Sequence, residues 1–149
     1  MVKYIFSTLM LVLVSLTSCA QKNSDKAVVE MNKAMFVEKV IDYENAKGWE
    51  YKGDKPAIID FYASWCGPCR QMGPVLEELA KEYAGKIDVY KVNVDKEKDL
   101  AALFAIQSIP YFVFIPSEGE PQTFSGAAGK ALFQEAIEKF LLKKEDASK

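Results

Sequence analysis

The stretch from residue 56 to residue 83 constrains the fold more than any other part of the chain. It begins with the nearly continuous apolar run Pro56–Ala63, which holds a single acidic residue and is typical of a central strand buried on both faces. The pentapeptide Trp65-Cys66-Gly67-Pro68-Cys69 follows, and a helical pattern over Cys69–Tyr83 contains Pro74. A proline inside a helix removes a hydrogen bond and kinks the helix. This order of apolar run, cysteine pair and helical pattern therefore predicts a buried strand followed by two cysteines at the start of a kinked helix.

Alternating strand and helix patterns surround this unit and predict an α/β fold. Further strands are expected at 27–31, 87–94, 111–115 and 122–125, and further helices at 33–45, 95–106 and 129–142. The last helix is expected to turn six apolar residues inward: Leu132, Phe133, Ala136, Ile137, Phe140 and Leu141. Because strands alternate with helices and a hairpin plus helix comes last, we expect a sheet covered by helices on both faces.

Composition fits one domain and narrows its chemistry. The chain has 149 residues, a net charge of −2 and no histidine, and half of its residues are hydrophobic. No basic stripe is present, so a nucleic-acid partner is not expected. The lack of histidine removes the commonest general base and the commonest metal ligand, together with every Cys-His arrangement.

The N-terminal segment is predicted to be a targeting signal and a tether. Lys3 precedes an apolar run over residues 4–16 that has the length of a signal-peptide core and is short for a membrane span. Leu16-Thr17-Ser18-Cys19 then resembles the bacterial lipobox, whose cysteine is lipidated and becomes the mature N-terminus. We expect a signal peptide over 1–18, lipidation at Cys19, a polar tether over 19–29 and the folded domain over 30–149.

Two other interpretations of this segment stay open. Small residues at Ser18 and Ala20 also suit ordinary cleavage, which would release a soluble periplasmic protein, and the segment can instead remain as an uncleaved anchor. Lipidation with two or three acyl chains would anchor the protein stably, since one chain alone binds marginally. All three interpretations predict an extracytoplasmic protein on the periplasmic side of the membrane.

The two cysteines of the pentapeptide are predicted to form a redox pair. Residues three apart on a helix lie on one face, within reach of a disulfide. At the helix start, unpaired N–H groups and the helix dipole stabilise a thiolate on Cys66, and Pro68 is tolerated in the first turn. We therefore expect Cys66 to attack a substrate disulfide and Cys69, the less exposed of the two, to resolve the mixed disulfide.

The alternatives to a redox pair are weak. A structural disulfide at this spacing would close a very small loop and constrain the unfolded chain little. A zinc site needs four ligands, commonly cysteine or histidine, and this domain lacks them. No metal and no cofactor are expected.

Trp-Cys-Gly-Pro-Cys between a buried strand and a proline-kinked helix resembles the thioredoxin family. The resemblance covers about residues 30 to 143 and includes separate matches at Asp60, Pro74, Lys91, Ile109-Pro110 and Gly126. It implies the thioredoxin fold, with a central mixed sheet flanked by helices on both faces, in a monomer.

The resemblance also implies catalytic roles for Asp60 and Lys91. Asp60, desolvated in its strand, would have a raised pKa and take the proton of the resolving thiol through water, beside Lys91. The alternative is a structural acid paired with Lys91. Two positions depart from the best-known bacterial pattern: Tyr62 stands where many members carry tryptophan, and Tyr111 where threonine is common.

A substrate-docking surface is implied as well. The Ile109-Pro110 bond would be cis and face the disulfide, presenting the Ile109 backbone to an extended substrate, whereas a plain trans turn is the alternative. Trp65 would flank the thiols, with core filling as its alternative. The other implied substrate-binding residues are Gly67, Pro68 and Gly126.

The residues between the cysteines bear on the direction of the reaction. Oxidising relatives often carry histidine there, and Gly67-Pro68 supplies no such charge, which predicts a reducing couple. Outside the cytoplasm disulfides persist, so we expect a membrane-tethered reductase of substrate-protein disulfides, recharged by an integral-membrane electron donor. The alternatives are a thiol oxidase or isomerase, an apocytochrome c reductase, and a non-catalytic thioredoxin-fold binding module. Such modules commonly lack one cysteine, and this chain keeps both.

Overall fold

A single mixed sheet of five strands forms the centre of the computed structural model, which describes residues 27–143. The strands are β1 (Val28–Glu30), β2 (Ala57–Tyr62), β3 (Asp88–Asn93), β4 (Tyr111–Ile115) and β5 (Gln122–Ser125). Their order across the sheet is β1-β3-β2-β4-β5, in which β1, β3 and β2 run parallel. Strand β4 is antiparallel to β2, and β5 is antiparallel to β4. The apolar run after Pro56 thus forms the central strand, as predicted.

Helices cover both faces of this sheet, which confirms the predicted layers. The helices are α1 (Lys33–Lys39), α2 (Gly67–Glu82), α3 (Lys98–Leu103) and α4 (Lys130–Ala136), and α4 continues as a π-helical turn over Ile137–Leu141. One face packs against α2 and α4 through side chains such as Leu79 and Phe133, and the other against α1 and α3 through Phe36 and Leu100. Among residues 27–143, none of the helices combines the length and apolar character needed to cross a bilayer.

Two helices are shorter than predicted because hydrogen bonds outside the helices end or delay them. Helix α1 stops at Lys39 instead of reaching residue 45, since the carbonyl of Val40 accepts a hydrogen bond from the N–H of Lys52 at 2.9 Å. Helix α3 begins at Lys98 instead of residue 95. The N–H groups of Lys96 and Glu97 both donate to the carbonyl of Asn93, at 3.1 and 2.9 Å, and form a turn first.

The inward face of the last helix is narrower than predicted. Phe133, Ile137 and Leu141 are buried at a spacing of four residues, and Ala136 and Phe140 pack partly against the same core. Leu132 is 43% exposed, so its predicted inward orientation is wrong. It lies in the same stripe as Ala136 and Phe140, at the border of the buried face, and unlike them it does not pack against the core.

The sheet also begins earlier than the predicted boundary between tether and domain. Val28 and Val29 pair with Val89 and Tyr90 of β3, so the boundary placed at residue 30 is two residues too late. The predicted signal peptide, most of the tether, Cys19 and the last six residues of the predicted domain lie outside the described residues.

Candidate active site

The N-terminus of α2 carries both cysteines of the pentapeptide. Cys66 is the N-cap residue in extended conformation, and the N–H of Cys69 donates a hydrogen bond to Cys66 Sγ at 3.2 Å. Pro68 lies in the first turn, where its missing N–H leaves no helical hydrogen bond unmade. The two residues form a disulfide with a Cα–Cα distance of 5.3 Å, which confirms that the pair is within disulfide reach.

Exposure does not distinguish the two cysteines in the disulfide form. Cys66 is 4% exposed and Cys69 is 5% exposed, so the expectation that Cys69 is the more shielded residue is not met. The helix cap does distinguish them, because it points a backbone N–H at the sulfur of Cys66. A sulfur that accepts from a helix N-terminus is the better stabilised thiolate of a pair.

The loop that precedes β4 lies against the disulfide. The Ile109–Pro110 peptide bond is cis, as the resemblance implies, and the carbonyl oxygen of Ile109 is 3.8 Å from Cys66 Sγ. The Ile109 side chain packs against the small cluster formed by Ala63, Cys66 and Cys69. The Ile109 backbone is therefore next to the sulfur that a substrate must reach.

Gly126 ties the end of β5 to this loop. Its N–H donates to the carbonyl of Pro110 at 2.8 Å, and its φ is +102°, which side-chain-bearing residues rarely adopt. The hydroxyls of Ser108 and Ser125 add a second link at 2.8 Å. The ends of β4 and β5 thus form one surface beside the cysteines.

Trp65 is the large exposed side chain of this region. It is 67% exposed, so it does not fill the core. Its indole N–H donates to the carboxylate of Asp95 at 3.0 Å, which holds the ring at the surface next to Cys66. Pro68 is exposed and Gly67 is half-buried beside it. An exposed aromatic ring next to a reactive sulfur suits contact with another protein.

Asp60 lies in the core at the centre of β2. It is 4% exposed, and its Oδ1 has no hydrogen-bond partner. Burial raises the pKa of Asp60 to about 7, and the nearby charge of Lys91 partly opposes that rise. A carboxyl group with a pKa near neutrality exchanges protons readily at physiological pH.

Lys91 is not the ion-pair partner of Asp60. Its Nζ lies 4.0 Å from Glu30 Oε2 and 5.4 Å from the centre of the Tyr62 ring. In the part of the chain that the structure describes, no ion pair within 4.0 Å joins Lys91 to Asp60. The alternative of a structural acid paired with Lys91 therefore lacks its contact.

Glu30 belongs to this site and was missed in the sequence. The hydroxyl of Tyr62 donates to Glu30 Oε1 at 3.2 Å, and Lys96 Nζ lies 3.8 Å from the same oxygen. Glu30 is placed opposite Lys91 by the register of β1 and β3. Register between strands about sixty residues apart leaves no local pattern, so only the sheet reveals this contact.

Comparisons with known proteins agree with this geometry. The family model described as Thioredoxin matches residues 27–139. The chain is 45% identical over 112 residues to a thioredoxin of Borreliella burgdorferi, covering 75% of this chain and 96% of that protein. It is 37% identical over 123 residues to the chloroplastic M-type thioredoxin of Spinacia oleracea, covering 83% of this chain and 62% of that protein.

A solved structure gives the same result at the level of the fold. Chloroplastic thioredoxin z superposes with a TM-score of 0.64 at 27% identity, over 75% of this chain and 92% of that chain. The matched region contains the Cys66–Cys69 disulfide at the start of α2. The chain therefore belongs to the thioredoxin family and is a protein-disulfide oxidoreductase of that family.

Proposed function

We propose that this protein reduces disulfides of substrate proteins outside the cytoplasm, with Cys66 as the nucleophile and Cys69 as the resolving thiol. The observation that carries these roles is the hydrogen bond from the N–H of Cys69 to Cys66 Sγ at 3.2 Å. In the reduced protein this donor and the N-terminus of α2 favour the thiolate of Cys66, and the thiolate is the attacking species.

The reaction proceeds through one mixed disulfide. Cys66 Sγ attacks one sulfur of the substrate disulfide, so that a new S–S bond forms, the substrate S–S bond breaks and one substrate thiolate leaves and takes up a proton. Cys69 then transfers its proton to the Asp60 carboxylate through water and attacks Cys66 Sγ. The mixed disulfide breaks, the second substrate thiolate leaves, and two electrons have passed from the Cys66–Cys69 dithiol to the substrate.

The surface around Cys66 is suited to holding an extended substrate segment. The carbonyl oxygen of Ile109 lies 3.8 Å from Cys66 Sγ, and a backbone N–H of the substrate can donate to it. Trp65 supplies an exposed aromatic ring on one side, and Gly126 continues the surface beyond Pro110. Gly67 and Pro68 leave no bulky or charged side chain between the sulfurs and the substrate.

The reducing direction is supported by the residues around the disulfide. Gly67-Pro68 places no cationic side chain between the cysteines, so the reduced form gains no extra stabilisation of its thiolate from that position. A reductase outside the cytoplasm must receive electrons from inside the cell. An integral-membrane dithiol carrier would restore the Cys66–Cys69 dithiol by the same exchange run in reverse.

The location rests on the Leu16-Thr17-Ser18-Cys19 sequence. Lipidation at Cys19 would hold the domain at a membrane surface through the polar residues that precede β1. Labelled palmitate tests this directly in cells. Wild type and Cys66→Ser should both incorporate the label, and Cys19→Ser should not. A shortened chain without label would indicate ordinary secretion, and a full-length chain without label would indicate an uncleaved anchor; either result overturns the lipoprotein proposal.

The redox roles are tested by trapping. In cells, Cys69→Ser should accumulate mixed disulfides with substrate proteins, because the resolving sulfur is absent. Cys66→Ser is the matched control and should accumulate none. If Cys66→Ser traps partners and Cys69→Ser does not, the assigned roles are reversed and the proposal fails.

The direction is tested by equilibrating the purified domain with glutathione. A reduction potential close to about −270 mV, as is typical of thioredoxins, supports the reductase. A value close to about −120 mV, as is typical of the most oxidising relatives, would establish an oxidase in its place.

A further inference from the structure

Three charged side chains lie in one row across the sheet beneath the N-terminal half of α2. Glu30 on β1 is in register with Lys91 on β3, and Lys91 is in register with Asp60 on β2. All three point toward α2, since Val28, Val89 and Ile58, two residues earlier on the same strands, belong to the core beneath that helix. Lys91 therefore has a carboxylate on either side of it.

The ammonium group of Lys91 lies beside Glu30 and the ring of Tyr62. Its Nζ lies 4.0 Å from Glu30 Oε2 and 5.4 Å from the centre of the Tyr62 ring, a distance at which a cation is attracted to the ring face. No ion pair within 4.0 Å reaches Asp60 among residues 27–143. The buried carboxylate of Asp60 therefore has no ion pair with Lys91, the charged residue in register with it.

Tyr62 contacts both Glu30 and Lys91. Its hydroxyl donates to Glu30 Oε1 at 3.2 Å while its ring lies under the ammonium group of Lys91. Tyr62 also packs against the cluster of Ala63, Cys66 and Cys69. One side chain thus links the carboxylate of Glu30, the position of Lys91 and the cysteines.

Solvation favours the same arrangement. The side chains of Lys91 and Glu30 are 36% and 48% exposed, whereas Asp60 is 4% exposed. Moving the ammonium group to Asp60 would strip water from it, a cost that the pair with Glu30 avoids. The position of the Lys91 ammonium away from Asp60 therefore depends on the carboxylate of Glu30 and the ring of Tyr62.

We propose that Glu30 and Tyr62 are positioning residues that hold the Lys91 ammonium away from Asp60, so that Asp60 remains a base of useful strength for the proton of Cys69. A carboxylate next to a cation is a weak base, and a general base works best when it exchanges its proton near the working pH. The inference rests on the proton-transfer role of Asp60 given under the proposed function.

The ionisable groups around Asp60 come from four elements. Lys91 faces it from β3 and Glu30 from β1, Tyr62 lies on its own strand, and Cys66 and Cys69 belong to α2 with its N-cap. Lys96, after β3, reaches Glu30 at 3.8 Å, and the β4 neighbour, Phe112, is uncharged. Burial and, second, the charge of Glu30 raise the pKa of Tyr62, so its hydroxyl stays a donor at neutral pH.

The test measures the titration of the Asp60 carboxyl carbon by NMR in the oxidised domain, where the cysteines do not titrate. In Glu30→Gln and in Tyr62→Phe the ammonium of Lys91 is released toward Asp60, and the midpoint should fall by about 1 unit in each. Glu135→Gln is the matched control, since it removes a carboxylate from the exposed pair with Lys139 and should leave the midpoint unchanged.

Tyr62→Phe separates positioning from simple loss of charge. It keeps the negative charge of Glu30 and the aromatic ring and removes only the hydrogen bond at 3.2 Å. A midpoint that moves in Glu30→Gln but not in Tyr62→Phe would show that Glu30 acts through its charge alone and would overturn the proposal. An unchanged midpoint in both variants would also overturn it.

A second measurement separates this inference from the function on which it rests. The pH dependence of disulfide reduction should move to lower pH in both variants, by the same amount as the NMR midpoint. If Asp60→Asn reduces disulfides as fast as wild type at every pH, the catalytic role of Asp60 fails. The NMR titration would still test, independently, whether Glu30 and Tyr62 change the titration of Asp60.

Discussion

Asp60 and Lys91 are directly opposite each other on β2 and β3, yet no ion pair within 4.0 Å joins them in the range 27–143. The carboxyl group is buried, and one of its oxygens has no hydrogen-bond partner. A buried carboxylate without a partner is costly, so the protein binds a proton there more tightly than an unfolded chain does. The proton bound by Asp60 therefore links the stability of the protein to pH.

Asp60→Asn should stabilise the folded protein at high pH. Burial raises the pKa of Asp60 from 3.8 to about 7, so between these values the folded state keeps a proton that the unfolded state has lost. Stability contributed by that proton is complete below about pH 4, falls as the pH rises, and is lost above about pH 7. Asparagine has no charge to bury, and the gain over wild type should reach about 4 kcal/mol at pH 8.

Chemical denaturation at pH 4 and pH 8 measures this difference. The gain of Asp60→Asn over wild type should be small at pH 4 and large at pH 8. Glu38→Gln, a change at a carboxylate that is 73% exposed, should stay within about 0.5 kcal/mol of wild type at both. A gain of equal size at the two pH values would contradict the pKa of about 7.

Asp60→Asn should also slow the resolving step while leaving the first attack intact. In the proposed mechanism the carboxylate accepts the proton of Cys69, and asparagine cannot, so release of the mixed disulfide should slow by at least about 10-fold at pH 8. Wild type should lose this advantage as the pH falls through about 7, where Asp60 becomes protonated. Stopped-flow measurement of the two steps with a chromogenic aromatic disulfide separates them, and a slower first step alone would argue against this role.

Gly126→Ala should destabilise the protein and disturb the docking surface. Gly126 has a φ of +102°, where a Cβ is strained although no atom lies within 4 Å of it. The cost should be about 1–3 kcal/mol, seen as a lower Tm, together with a higher KM for a protein disulfide because the link to Pro110 is altered. Gly129→Ala is the matched control, since Gly129 has a φ of −71° and equally open space. A Tm that falls equally in both variants would rule out backbone strain as the cause.

Trp65→Ala should weaken substrate binding with little effect on stability. The ring is 67% exposed, so its loss should change the free energy of unfolding by less than about 0.5 kcal/mol. The KM for a protein disulfide should rise while the rate with a small disulfide is unchanged. Trp65→Phe keeps an aromatic ring and loses only the hydrogen bond to Asp95, so its KM should lie between the other two. Equal KM values in all three would mean that Trp65 does not contact substrate.

Features encoded by neighbouring residues could be predicted from the sequence. The N-cap position of Cys66 and the reach from Cys66 to Cys69 depend on contacts within a few residues. The central strand after Pro56 pairs with distant strands, but its continuous apolar run is a local signal of burial on both faces. The end of α1 could not be predicted, since it depends on the hydrogen bond from Lys52 to Val40. The start of α3 was missed for another reason, because apolar periodicity does not distinguish the local turn at Asn93 from the first turn of a helix. Propensity indicates where a helix can form, and tertiary hydrogen bonds decide where it stops.

The sequence by itself determined the family, the fold and the redox pair, because a local motif of five residues and regular apolar periodicity are enough for each. Only the tertiary structure decided how the proton site is built. Glu30, Lys91 and Asp60 come from three strands and become neighbours only through the register of the sheet. That register places Glu30 and Tyr62 next to Lys91, and Asp60 has no ion pair among the described residues. Electrostatic interactions depend on the distance between charges and on their burial, and both are set only when the strands have paired.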